Sequence, residues 1–280
     1  KGGDLGWVNE NAISKKFKIP GRVAVITGGA GLLGAMHAEA IAENQGIPIL
    51  FDKDFRKAKI IAKHIENKFK VKCLPFNGDV TKEKDINNLI KYLKIKKLKI
   101  DILINNAALN PKLNKKGNNG ALENLKLKDW NMELNVGLTG MFLCSKMIGK
   151  IMIKNKKGVI INISSDLGLI SPDQRLYKKK NRNLFYKPIT YSVIKHGVIG
   201  LTKYMATYWS AKGIRVNCLC PGGVYEKQEK SFLQKISKKI PLGRMANQNE
   251  YKGAIQFLAS DASSYMNGAN LVIDGGRSIW

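Results

Sequence analysis

The sequence predicts a single α/β domain spanning residues 1–280, built as a doubly wound parallel sheet with helices on both faces. Three observations carry this expectation. Short apolar, β-branched runs alternate with stretches of helical periodicity; the first run leads through a glycine-rich turn into a helical pattern; and polar motifs stand where the runs end. Such alternation favours parallel strands joined by crossover helices, with ligands gathered beyond the strands' carboxyl ends. A chain of 280 residues suffices for one such domain with a substantial core, and no repeat or low-complexity linker divides it. Residues 1–19 read as an N-terminal extension.

Residues 22–26 form the first run, followed by Thr27-Gly28-Gly29-Ala30-Gly31-Leu32-Leu33-Gly34 and a helical pattern through Ala42. Strand, glycine turn and helix start offer backbone N–H groups and the positive helix end to a pyrophosphate, the Rossmann-type arrangement. Glycines also serve close packing, but the flanking patterns favour a nucleotide site. Residues 47–51 read as a second buried strand ending at Asp52, 18 residues beyond Gly34. A carboxylate there can accept both ribose hydroxyls of the adenosine half of NAD and repels the 2′-phosphate of NADP, so NAD is expected over NADP. Lys53 and Arg56 are the nearby cations that could meet a 2′-phosphate. Residues 71–76 give a third strand, with Gly78-Asp79-Val80 where an adenine could lie. Residues 100–104 give a fourth, ending in Asn105-Asn106-Ala107-Ala108, and residues 159–163 a fifth, ending in Ser164-Ser165.

Tyr191-Ser192-Val193-Ile194-Lys195 opens a segment in which Val193, Ile194, Val198, Leu201, Met205 and Tyr208 recur at helical spacing. Tyr191 and Lys195 therefore share a helix face. A phenol with a reference pKa of about 10 is a poor base at neutral pH, but a fixed ammonium beside it favours the phenolate and equips it for proton transfer. The spacing alone is a weak signal, because Tyr92 and Lys96 share it.

These residues together resemble the short-chain dehydrogenase/reductase family over 22–276. The matching pieces are the glycine turn, Gly78-Asp79-Val80, Asn105 to Ala108, Ser164-Ser165 and Tyr191 with Lys195. They continue with Asn217-Cys218-Leu219-Cys220-Pro221-Gly222, Ile240-Pro241-Leu242-Gly243-Arg244, Phe257-Leu258-Ala259-Ser260-Asp261 and Asp274-Gly275-Gly276. More narrowly, residues 168–280 resemble bacterial members that act in flagellin modification or sugar biosynthesis. The resemblance implies an NAD(P)-dependent oxidoreductase that interconverts an alcohol and a carbonyl on a sugar or sugar-derived substrate. Tyr191 would exchange a proton with the substrate oxygen, Lys195 would hold the nicotinamide ribose and keep the phenol's pKa low, and Ser165 would orient the substrate oxygen. Implied cofactor contacts are Thr27, Gly28, Gly31, Leu33, Gly34, Asp52, Asp79, Val80, Asn106, Ala107, Tyr191, Lys195, Pro221, Gly222 and Val224. A homo-oligomer, tetramer or dimer, is also implied, with the Tyr191 helix against a neighbour and Gly197 and Gly200 permitting close approach.

The chain departs from the family at four places. Gly137 stands where the family's catalytic asparagine is expected, and Asn135, two residues or about 200° away on an α-helix, is a poor substitute. That gap motivates a rival reading as a non-catalytic dinucleotide-binding sensor. Gly28, Gly31 and Gly34 have the three-residue spacing of longer relatives that act on nucleotide sugars. Ser165 and Tyr191 are 26 residues apart, so 172–188 forms an insertion beside the substrate pocket, with Arg175, Arg182 and Lys178-Lys179-Lys180. Arg175 and Arg182 are candidate contacts for an anionic or polyhydroxy substrate, alongside Ser165 and Tyr191; the bland alternative is a solvated surface loop. Residues 110–120 form a further elaboration, and 223–240 occupy the position of the family's substrate lid.

The formal charge of +27 raises nucleic acid as a third reading, but the lysines are scattered over most elements, so a small-molecule substrate and no nucleic-acid partner are expected. Cys73, Cys144, Cys218 and Cys220 lie in apolar segments without paired ligand spacing, and His37, His64 and His196 form no motif, so reduced thiols and no metal are expected. No apolar run approaches the roughly 20 residues that span a bilayer, and a cytoplasmic protein without a membrane partner is the expectation.

Overall fold

The computed structural model describes residues 11–109, 120–179, 182–183 and 185–280. After helix α1 (Asn11–Phe17), β1 (Val23–Thr27), α2 (Leu32–Glu43), β2 (Ile47–Asp52), α3 (Phe55–Phe69) and β3 (Leu74–Asn77) follow in regular alternation. The pattern continues with α4 (Glu83–Ile95), β4 (Ile100–Asn105), α5 (Leu127–Leu134), α6 (Gly140–Lys154) and β5 (Gly158–Ile163). The insertion contributes the two-residue strands β6 (Lys178–Lys179) and β7 (Arg182–Asn183), and the chain ends with α7 (Ile189–Trp209), β8 (Ile214–Pro221), α8 (Lys230–Ser237), α9 (Lys252–Ala259) and β9 (Asn270–Ile273).

Seven strands form one parallel sheet in the order β3-β2-β1-β4-β5-β8-β9. Strand side chains alternate between faces, and the core divides accordingly. Ala24 and Ile26 pack with Ile41 of α2, Ile65 of α3 and Leu258 of α9, whereas Val23 and Val25 pack with Leu89 of α4, Ile148 of α6 and Met205 of α7. Because both faces are covered, the central strands read as continuous apolar runs. Strand order reverses between β1 and β4, and the crevice outside their carboxyl ends is the expected ligand position.

Two sequence expectations are corrected. The third strand starts at Leu74 rather than residue 71, because Lys70 ends α3 in the left-handed region at φ 56° and the Cys73 N–H donates to the Glu66 side chain at 3.0 Å. The helix carrying Gly137 is not uniformly α: Asn135–Thr139 is a π turn, closed by the Gly140 N–H on the Asn135 carbonyl, which widens the path between α5 and α6. From Leu127 to Lys154 the helical path runs 28 residues and is long and apolar enough to cross a bilayer, yet 56% of its apolar window is buried. Its inward side chains Cys144, Ile148 and Met152 fill the core beneath β4 and β5.

Candidate active site

The glycine turn after β1 is a cradle that side chains would fill. Gly28 has φ 64°, and a Cβ on Gly34 would fall 2.1 Å from the Gly28 carbonyl oxygen, so the start of α2 lies directly on the turn. Gly31 caps α2 without a side-chain hydrogen bond, leaving the first-turn amides open to an anion. Asn106 fastens this turn to the end of β4: its Nδ2 donates to the carbonyls of Thr27 at 3.0 Å and Gly28 at 3.1 Å. The Thr27 hydroxyl in turn accepts the Asn106 and Ala107 N–H groups, both at 3.0 Å.

Beside the turn runs a cleft lined by Gly28, Phe51, Asp52, Lys53, Gly78, Asp79, Val80 and Ala107. Asp52 accepts the Ala30 N–H at 2.9 Å and the Asp54 N–H at 2.8 Å, one on each oxygen, so its carboxylate is fixed at the cleft wall. Asp79 accepts the Thr81 N–H at 2.9 Å and its hydroxyl at 2.8 Å. Burial raises the Asp79 pKa, but these bonds, together with the charges of Lys82 and Lys53, outweigh it and hold the carboxyl below its ordinary value. Open glycines, an uncapped helix start and a fixed carboxylate fit a dinucleotide. Gly31 and Leu33 lie at the helix start, Leu33 packing on the core; Pro221 ends β8, Gly222 accepts the Tyr251 hydroxyl at 2.9 Å through its carbonyl, and Val224 is half-buried against the core.

Ser165, Tyr191 and Lys195 converge one strand away. Lys195 is 7% exposed, donates from Nζ to the Ile163 carbonyl at 2.8 Å, and stands 5.7 Å from the Tyr191 ring centroid. Burial lowers its pKa to about 8. Burial likewise raises the Tyr191 pKa above the ordinary phenol value, partly offset by a hydrogen bond with Ser165. The turn after β5 lies tight on α7, for the Ser164 hydroxyl donates to the Lys195 carbonyl at 2.7 Å.

Two residues that motif reading did not single out complete this site. The Ser165 hydroxyl donates to Asp166 at 2.7 Å, and Asp166 pairs with Arg277 at 2.6 Å in a buried ion pair. Arg277 is delivered by the turn after β9, where Asp274 accepts the N–H groups of Gly276 and Ser278. The adjacency of Asp166 to Ser165 and of Arg277 to Asp274-Gly275-Gly276 was the available signal. A third, Lys187, is held over the Tyr191 ring with its Nζ 3.7 Å from the ring centroid.

The insertion is anchored at its base, where Gln174 and Lys187 exchange two hydrogen bonds of 2.9 and 3.0 Å. Arg175 is exposed and pairs with its neighbour Asp173 at 2.8 Å, which also takes Lys239 at 3.2 Å. Arg175 is thus committed to a carboxylate and is not brought to Tyr191. Arg182 belongs to β7 by its backbone; its side chain, like Lys180 and residues 110–119, lies outside the described residues. Gly137 is buried, and a Cβ there would fall 2.7 Å from Cγ2 of Ile194. Ile194 thus fills the space beside Gly137, and Asn135 is exposed.

A family profile described as enoyl-(acyl carrier protein) reductase matches residues 30–278. D-Threitol dehydrogenase of Mycolicibacterium smegmatis is 30% identical over 275 residues, covering 96% of this chain and 98% of that protein. The chain belongs to the short-chain dehydrogenase/reductase family. Another relative, the 3-oxoacyl-[acyl-carrier-protein] reductase FabG of Thermotoga maritima, is 31% identical over 268 residues, covering 94% of this chain and 100% of that one. A solved gluconate 5-dehydrogenase from Burkholderia cenocepacia, in complex with NADP and tartrate, superposes with TM-score 0.83 at 27% identity, covering 95% and 98% of the two chains. The chain is therefore an NAD(P)-linked short-chain dehydrogenase/reductase acting on CH–OH groups, as the ordered motifs implied.

Proposed function

We propose that this chain uses NAD(H) to interconvert an alcohol and a carbonyl on a small sugar or sugar-derived substrate, with Tyr191 as the proton donor and acceptor. The convergence of Ser165, Tyr191 and Lys195 in a buried site beside the nucleotide cleft carries this reading. The bound nicotinamide supplies or accepts the hydride. In reduction, the Tyr191 hydroxyl gives its proton to the substrate oxygen while the Ser165 hydroxyl hydrogen-bonds the same atom and orients it. In oxidation, the Tyr191 phenolate takes that proton back, favoured by the adjacent Lys195 ammonium. Arg277 neutralises Asp166 and so limits the hold of that carboxylate on the Ser165 hydroxyl.

Asp52 supports NAD over NADP, since its fixed carboxylate suits the ribose hydroxyls and repels a 2′-phosphate. Asp52→Ala is expected to narrow the ratio of kcat/KM for NAD over NADP; an unchanged ratio overturns this preference. The sugar assignment is supported by relatives named for threitol and gluconate and by the polar surroundings of Tyr191, namely Asp166, Arg277 and Lys187. Absorbance of the reduced nicotinamide, followed with D-threitol, gluconate and a 3-oxoacyl thioester as probes, tests it. Turnover of the polyol or sugar acid, abolished in Tyr191→Phe, is expected; turnover of the thioester alone overturns the sugar reading. Tight NAD binding without turnover of any probe favours the sensor.

A homo-oligomer is also proposed. Phe142 of α6 and Tyr204 and Tyr208 of α7 are exposed, and a Cβ at Gly200 would meet open space, although Gly197 is accounted for by Leu138. Light scattering on the purified chain tests it, with a monomer as the overturning result. The four free, buried cysteines support a reducing, cytoplasmic setting.

A further inference from the structure

Lys187, Tyr191 and Lys195 stand at successive four-residue intervals, but the two lysines meet the ring differently. Lys195 lies within α7 and donates to the Ile163 carbonyl. Lys187 precedes the helix and its N-cap Pro188, with Nζ 3.7 Å from the Tyr191 ring centroid against 5.7 Å for Lys195. Among the described residues the Lys187 ammonium has no hydrogen bond or ion pair.

The charged and titratable groups around Lys187 and Tyr191 are Asp166 after β5, Glu133 at the end of α5, Arg277 after β9, Tyr177 in the insertion and Lys195 on α7, with Cys218 and Cys220 of β8 behind Lys195. The two carboxylates are already engaged. Asp166 holds Arg277 and Ser165, and Glu133 accepts the Thr190 hydroxyl. The described partner left for the ammonium is the tyrosine ring. Burial lowers the Lys187 pKa to about 8, so the site charges this lysine reluctantly while the tyrosine is neutral. An ammonium above a neutral ring gains only a quadrupole attraction, whereas above a phenolate it gains a full opposite charge in a weakly screened environment. The backbone from which it extends is fixed, because Gln174 grips both the N–H and the carbonyl of Lys187.

We propose that Lys187 is a second cation of the proton-transfer site, a positioning residue whose ammonium, held over the Tyr191 ring, stabilises the phenolate form. The proposal rests on reading Tyr191 as the proton-transfer group, and it gives the insertion a role in the chemistry itself. Acting from the ring face, Lys187 complements Lys195 and offsets the burial that disfavours ionisation of Tyr191.

The test needs no substrate. Phenolate ultraviolet absorbance is titrated against pH for the full chain without cofactor, and the curve of Tyr191→Phe is subtracted to isolate Tyr191 from the other tyrosines. Lys187→Arg, whose guanidinium stays charged while the phenol titrates and can stack on the ring, is expected to set the Tyr191 midpoint about one pH unit or more below that of Lys187→Met. Circular dichroism at neutral pH confirms that each variant is folded, and Lys187→Gln carries the same test should the Met variant not fold. Equal Tyr191 midpoints in folded Lys187→Met and Lys187→Arg overturn the proposal. So does a wild-type Tyr191 that does not ionise within the range where the folded chain persists. Failure here is separable from failure of the proposed function: retained turnover in Tyr191→Phe would remove Tyr191 from the chemistry, whereas equal midpoints in the two variants remove Lys187 alone.

Discussion

Tyr191 with Lys195 on α7 and Tyr92 with Lys96 at the end of α4 share the same four-residue spacing. Their geometries are nearly equal: the ammonium stands 5.7 Å from the ring centroid in the first pair and 5.8 Å in the second. Their surroundings are not. Lys195 is buried and hydrogen-bonded to the Ile163 carbonyl, with Ser165, Asp166 and Lys187 gathered around its tyrosine. Lys96 is exposed, and Tyr92 packs its ring against Phe76 at 5.3 Å. Helical spacing dictates the distance between the two groups; burial and fixed partners dictate whether that distance has chemical consequence. Water screens the α4 pair, while the α7 pair stands where a charge is felt.

The largest separation between the pairs is expected in catalysis. Tyr191→Phe should lower kcat/KM by about 100- to 10,000-fold with NAD(H) binding retained, and Tyr92→Phe should leave turnover unchanged. Steady-state kinetics beside a nicotinamide-fluorescence titration check both, and equal losses would erase the distinction.

A smaller effect is expected from restoring the absent asparagine. Because Ile194 occupies the space next to Gly137, Gly137→Asn should cost about 1–3 kcal/mol in denaturant unfolding through overpacking. In an Ile194→Ala background the added cost should fall, revealing coupling between the two positions. Additive costs would show that Ile194 is not the obstacle.

The smallest effect lies in the pH dependence of stability. Lys187 has its folded-state pKa lowered from 10.5 to about 8, so between those values the unfolded chain binds a proton that the folded chain lacks. Its contribution to stability therefore rises with pH across that window, and below about pH 8 the full penalty of charging a buried lysine is present. Lys187→Met should stabilise the chain at neutral pH by about 1–2 kcal/mol and flatten the rise, whereas Lys96→Met, at an exposed position, should change stability at neutral pH by less than about 0.5 kcal/mol. Chemical denaturation at pH 7 and pH 10 compares them.

Much of the architecture was legible because buried parallel strands carry continuous apolar runs. β1, β2, β4 and β5 were locatable to within a residue at either end, and Asp52, Asn106 and Ser165 stand at the strand ends where the motifs put them. β3 was misjudged at its start because a side chain, Glu66, competes for the Cys73 N–H, and apolar character does not reveal such competition. The π turn at Asn135–Thr139 was missed because an apolar pattern locates a helix without showing which carbonyl each N–H reaches. In the site, the Tyr191 and Lys195 pairing could be read from spacing. The Arg277–Asp166 pair joins residues 111 apart, and such a long-range pairing has no periodic signature. Arg175 illustrates the converse, for its guanidinium found a carboxylate two residues away before it could serve a distant pocket.

The two-point grip of Gln174 on Lys187 closes the insertion at its neck. Both bonds reach backbone groups of Lys187, so the junction depends on the side chain of Gln174 and not on that of Lys187. Just beyond the neck, Leu176 is buried with Ile236 and Ile240 and Tyr177 packs on Phe232, a second attachment of the same segment. A laboratory exchange of the segment should therefore retain Gln174, Leu176 and Tyr177.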